Sequence, residues 1–376
     1  MSVSGIIFSN IHDRNIPELT SRRTTGSIPY GCRYRLVDFA LSNMVNSGIT
    51  EVRIITHNNY QSLLDHIGSG KDWDLARRSG GIKILPPYVT SYDSGSQLYN
   101  SRLEALIGVQ SSIAHITTDY VIMADCDAVF NMDFNDIIES HIRSGAKITL
   151  AVKKQSFSGD DARSSVVIKT DSRHNITDVM KNPENITGEH YVSLNIFVMS
   201  TSDLKAYIGN AAAHHYSSFL YDIIERNISG PDVKAYIYKG AYDTISSLVD
   251  YYNSSMLLIN DEDFRRSVFG IVERPIFTKI RNSAPTRYEN GAKVSNSLIA
   301  DGCVINGIVE NSILFRGVKI GRNTIVKNSI LFQDTYTGEN VFLNAVITDT
   351  NVLIRDDRIL SGHSSMPFYI DKGRMI

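Results

Sequence analysis

Tryptophan occurs once in these 376 residues, cysteine three times and proline nine times. The cysteines, Cys32, Cys126 and Cys303, are scattered and leave one without a possible partner. They form no metal-binding spacing, which excludes a disulfide-framed secreted scaffold and points to a reducing compartment, the cytoplasm. No apolar run approaches the roughly 18–20 residues that cross a membrane. No charged-then-apolar leader is expected either, because Met1 to Phe8 already reads as a strand. The Asn-x-Ser/Thr triplets at Asn175, Asn185, Asn227 and Asn253 are therefore not read as glycosylation sites. Neither sign of charge is in excess: 38 Lys and Arg face 40 Asp and Glu, a net charge of −2. That gives no electrostatic ground for binding nucleic acid or a membrane surface. What is present is 42% hydrophobic and 21% charged, an ordinary globular balance. The length suffices for two domains with cores of their own.

One scarcity is local. Val3 to Phe8 has the length and β-branched content of a buried strand, and Leu36, Phe39, Ala40, Met44 and Val45 recur at helical spacing up to Gly48. Strand, long polar loop and helix at the start of an α/β chain is the usual setting of a nucleotide-phosphate loop. Such a loop needs glycines so that its amides can approach the phosphates. Here the first glycine after the strand is Gly26.

Further on, apolar strands at Val52–Thr56, Ile82–Leu85, Tyr120–Ala124, Ile148–Val152 and Val233–Tyr238 alternate with helical patterns at Tyr60–Ile67, Gln97–Ile113 and Ser246–Ile259. That alternation predicts a parallel, doubly wound sheet whose ligands lie beyond the strands' carboxyl ends. Shorter strands are expected at Val166–Ile168, Ile176–Val179 and Val192–Met199, with helices at Leu204–Ile208 and Phe219–Ile224. His66, behind Leu63 at helical spacing, reads as packing rather than as a ligand.

From Gly291 the helical patterns stop. Asn-Ser/Ala-apolar triplets begin at Asn296, Asn311, Asn328 and Asn344. This is close to the coil of a hexapeptide-repeat β-helix, with hairpins as the alternative. Val294, Leu298, Val304, Ile308, Ile313, Val318, Ile325 and Ile330 are expected to point inward and stack. An exposed coil edge needs covering, by oligomerisation or by the first domain.

The run Pro29-Tyr30-Gly31, Tyr34-Arg35, Asp38-Phe39, Leu41-Ser42-Asn43 and Asn46-Ser47-Gly48 resembles the signature of bacterial glucose-1-phosphate adenylyltransferases (ADP-glucose pyrophosphorylases). That signature reads roughly AGGxGxRLxPLT…KPAVPFGGKYRxIDFxLSNxxNSG. In its first half only Leu19 and Thr20 are kept. The three glycines fall on Asn10, Ile11 and Asp13, the phosphate arginine on Asn15, and the lysine on Thr25. The pattern is similar to the non-catalytic, GlgD-type subunits of that enzyme, which carry the same C-terminal β-helix. The resemblance implies an α/β Rossmann-like nucleotidyltransferase domain with a mostly parallel sheet over residues 1–265, a linker over 266–290, and a left-handed parallel β-helix over 291–376.

Nucleotidyl transfer needs a metal held by carboxylates and cations on the phosphates. Asp125-Cys126-Asp127 ends a strand and resembles the family's GDH, placing Asp127 on the catalytic, metal-binding aspartate. The alternative for Asp125 and Asp133 is helix capping ahead of Asn135 to Ser144. The second metal aspartate falls on Thr244, with Asp243 one place away. The sugar-phosphate lysine is best matched by Lys181, and Ser193 resembles the serine of SMGIY. The nucleotide segment YxGTADA becomes Tyr99 to Ala105, with Ser101, Arg102 and Leu103 in place of Gly-Thr-Ala. Each such loss costs on the order of several powers of ten in rate. Basic residues at the positions of Arg22, Arg23 and Arg35 bind anionic effectors in the family, and Arg316 is a further candidate; a solvated basic face is the alternative.

Two expectations follow. The chain is either a regulatory, catalytically inactive subunit that assembles with a catalytic subunit, as a heterotetramer responding to sugar-phosphate effectors, or an active nucleotidyltransferase with an altered loop. Mg2+ is required only in the second case. A β-helix acyltransferase is set aside, since no histidine lies between Gly291 and Ile354.

Overall fold

The computed structural model describes residues 1–86, 99–158, 165–228 and 230–376. The chain forms two compact units that interleave along the sequence. The first comprises Met1–Ile11, Ala40–Cys126 and Met132–Gly240; the second comprises His12–Phe39, Asp127–Asn131 and Ala241–Ile376. The loop after the first strand thus belongs with the C-terminal residues.

The first unit is built on a nine-stranded sheet. Its strands are β1 (Val3–Phe8), β2 (Glu51–Ile55), β3 (Gly81–Leu85), β4 (Tyr120–Asp125), β5 (Ile148–Phe157), β6 (Val166–Thr170), β7 (Ile176–Lys181), β8 (Gly188–Ser200) and β9 (Val233–Ile237). The order is β7-β6-β8-β4-β1-β2-β3, with β5 also paired to β8 and β9 to β5. β1 lies between β2 and β4, parallel to both, and β3 continues this parallel part. β8 runs antiparallel to β4, β5 and β6. Gly5 has a packing reason: a Cβ there would lie 2.3 Å from Met44 Sδ in the helix Leu36–Asn46. The helical pattern over Gln97–Ile113 begins outside the described residues; its described part is two helices, Arg102–Gly108 and Gln110–Ala114, broken at Val109. The helix expected at Leu204–Ile208 extends over Thr201–His214, because Ser200 caps it. His66 is buried edge-on against Trp73, with ring centroids 5.7 Å apart. No helix among the described residues is long and apolar enough to cross a membrane.

The second unit contains a left-handed β-helix of three five-stranded parallel sheets. Asn296, Asn311 and Asn328 turn its corners with φ of 41°, 46° and 47°. The left-handed region suits asparagine better than most residues. Their side chains also form a ladder: Asn296 Nδ2 donates to Asn311 Oδ1 (3.0 Å), Asn311 to Asn328 (2.7 Å) and Asn328 to Asn344 (2.9 Å).

The inward phase differs from expectation. The stacked core is Ile305, Val309, Leu314, Val318, Val326 and Leu331 with their neighbours. Of the eight residues expected inside, Val318 belongs to this core. Val294 is in register with Val309 but 38% exposed at the first coil. The other six sit one residue out of phase. A period-two strand shifted by one residue turns its whole set to the opposite face. Ile313 and Ile330 are nevertheless buried, and the helix Leu248–Asn260 meets the same coils. Tyr252 Oη of that helix donates to Asn328 O at 2.7 Å, and Tyr251 stands edge-on to Phe332.

Candidate active site

In the second unit the glycine-poor loop is folded upon itself rather than opened around a ligand. A short 3₁₀ turn at Asp13–Asn15 leads into one helical turn, Pro17–Thr20, with proline at its start, where the missing N–H costs nothing. Asp13 fills the place of a family glycine. Its Oδ1 accepts both the backbone N–H and the hydroxyl of Thr25, each at 2.7 Å. Burial pushes the Asp13 carboxyl up to about 6, against those two hydrogen bonds and His12, which lower it. Thr20 Oγ1 donates to Asp13 O at 2.6 Å. The position matched to the family's phosphate lysine is thus occupied by a donor pair already engaged by a carboxylate of the same loop.

Asp127, buried, opens the segment that pairs with Tyr242–Thr244. Its Oδ2 lies 3.2 Å from His12 Nε2. Thr244 pairs with Ala128, and Ile245 N–H donates to Asp127 O at 2.7 Å. Asp243 pairs with Val129, and its charge acts on buried Tyr30. The family implies Mg2+, which takes hard oxygen ligands in near-octahedral array. Within the second unit the donors at this point are the Asp127 carboxylate and the His12 imidazole, an oxygen–nitrogen pair short of the hard oxygen set that this ion takes.

In the first unit Arg102, on the family's threonine, forks onto Asp125: Nε donates to Oδ1 at 2.9 Å and Nη2 to Oδ2. The Asp125 side chain is 1% exposed. Asn10, another former glycine, accepts a hydrogen bond from Tyr99 Oη at 3.2 Å. Asp133 caps the helix Phe134–Ser144 by accepting the Asn135 N–H at 2.9 Å. Ser193 accepts the Asn195 N–H at 3.1 Å beside an irregularity in β8. Lys181 is exposed at the end of β7.

The four arginines diverge. Arg23 is buried and its Nη2 lies 2.6 Å from Asp349 Oδ1, a residue of the β-helix. Tyr369 Oη joins the pair, donating to Glu18 O at 2.7 Å and lying 3.1 Å from Asp349 Oδ2. Arg316 Nε is held 3.0 Å from Asp301 Oδ1 of the preceding coil. Arg22 is exposed and Arg35 half-buried. Sequence reasoning missed His12 and Asp349. The first stands in the loop whose glycines are gone, which was signal enough to examine it; the second carried none.

A model described as nucleotidyl transferase matches residues 15–259, and one described as GlmU-like C-terminal hexapeptide matches residues 283–363. The chain is 34% identical over 373 residues to the glycogen biosynthesis protein GlgD of Bacillus subtilis, covering 98% of this chain and 95% of that protein. It is 30% identical to the glucose-1-phosphate adenylyltransferase of Halalkalibacterium halodurans, covering 86% and 83% of the two chains. With that of Geobacillus stearothermophilus it shares 32%, covering 81% and 78%. A nucleotidyltransferase fold, the hexapeptide coils and near full-length similarity agree, and the chain belongs to the nucleotidyl transferase family that comprises GlgD and the glucose-1-phosphate adenylyltransferases.

Proposed function

We propose that this chain is a regulatory subunit, without appreciable catalysis of its own, that assembles with a catalytic glucose-1-phosphate adenylyltransferase in glycogen synthesis. The catalytic partner makes ADP-glucose from ATP and glucose-1-phosphate, and the assembly is a cytoplasmic heterotetramer. The observation that carries the reading is the His12 contact on Asp127 and the Arg102 fork on Asp125, which engage both acids of the strand end with side chains of this chain itself. The folded loop, braced by Asp13 on Thr25, supports it. Sugar-phosphate effectors are taken by Arg22, which is exposed, whereas Arg23 and Arg316 are engaged by aspartates. The alternative, an active enzyme using Asp125, Asp127 and Asp243, is disfavoured by the Arg102 fork on Asp125.

The test is ADP-glucose formation from ATP, glucose-1-phosphate and Mg2+ by this chain, by the catalytic subunit, and by both mixed. The expected result is silence from this chain and altered kinetics on mixing. Turnover by the pure chain would overturn the proposal in favour of the altered-loop enzyme. Absence of any effect on mixing would remove the regulatory role.

A further inference from the structure

Asp127 stands on the family's metal-binding carboxylate, with threonine where the second metal aspartate falls. It is nearly inaccessible, 4% exposed at the side chain. A buried carboxylate with nothing opposite it is costly and is not expected to persist without a partner. His12 supplies that partner at 3.2 Å, and it comes from the loop that should have carried phosphate. Asp125, 1% exposed, is matched in the same way by the Arg102 fork, which comes from the segment that should have held the nucleotide.

We infer that His12 has taken the place of the divalent cation at Asp127, so that the carboxylate survives as a structural acceptor and not as a metal ligand. Arg102 does the same for Asp125. His12 is then a positioning residue: it ties the folded loop to the segment that begins at Asp127. The inference deepens the regulatory reading by naming why the centre takes no metal. Its test contains no partner subunit, so either can fail alone.

The experiment is thermal unfolding of the full chain in EDTA, in Mg2+ and in Mn2+, for wild type, His12→Ala, Asp127→Asn and the double variant. Wild type is expected to melt at the same temperature in all three. His12→Ala should lose several degrees in EDTA, since it strands a buried carboxylate. Adding Asp127→Asn should recover most of that loss without metal. Mn2+ should recover it in His12→Ala but not in the double variant. Should His12→Ala fail to fold, recovery of soluble, folded protein in the double variant becomes the readout.

A rise in the wild-type melting temperature with either cation overturns the inference. So does a His12→Ala variant as stable as wild type, or a double variant no better than the single. Recovery by Asp127→Asn without recovery by Mn2+ makes His12 a hydrogen-bond partner only, and overturns its role as the cation's substitute.

Discussion

Asp13 carries a carboxylate that the fold would rather keep protonated. Burial raises it to about 6 against an ordinary 3.8, even though Thr25 donates two hydrogen bonds to it. The folded state therefore binds more protons than the unfolded state between those two values, and stability falls as pH rises through that window. Asp13→Asn keeps an oxygen acceptor and removes the titration. At about pH 7.5 it should be more stable than wild type by on the order of 1–2 kcal/mol, and the gap should close below about pH 4. Urea unfolding at both pH values checks this; a gap that persists in acid would mean that ionisation is not its source. Arg23 and Arg22 are adjacent in sequence and unlike in setting. Arg23→Ala strands buried Asp349 and should cost about 3–5 kcal/mol. Arg22→Ala should leave the melting temperature unchanged and weaken any sugar-phosphate response of the mixed enzyme.

At the level of elements, the β-helix was legible in part. The asparagine triplets announced the coils because a left-handed corner is a local demand that selects its residue type. The inward phase was hidden because the strands are doublets such as Ile313-Leu314 and Ile330-Leu331, apolar at both positions. Alternation cannot be read where nothing alternates. The phase now has a direct check. Val326→Asp places a charge in the coil core and should cost about 3 kcal/mol or more, whereas Ile325→Asp lies on the outer face and should cost about 1 kcal/mol or less. Equal effects in chemical denaturation would contradict the observed phase. The parallel half of the sheet was legible from its apolar strands. The long antiparallel β8 was read only as a shorter strand, with no sign of its direction.

For the molecule as a whole, the departures from the family signature were visible in the sequence, and the contacts made by the residues that stand there were not. Missing glycines can be counted along one loop. Their substitutes act over distance: Arg102 reaches Asp125 across 23 positions and Arg23 reaches Asp349 across 326. One sequence holds no record of such pairings. The same long reach explains why the compact units interleave, with the folded loop belonging to the unit of the β-helix.

The asparagine ladder has a consequence for how such a chain changes length over evolution. Its first member, Asn296, also donates to Asn260 Oδ1 at 2.9 Å, and its last, Asn344, reaches Ser361 Oγ at 3.3 Å. The stack works as a ruler with a fixed zero at the helix end. Rungs form across spacings of 15, 17 and 16 residues, so a coil can gain or lose a residue or two away from its asparagine corner and keep its place on the scale. A whole coil added at the far end would only lengthen it.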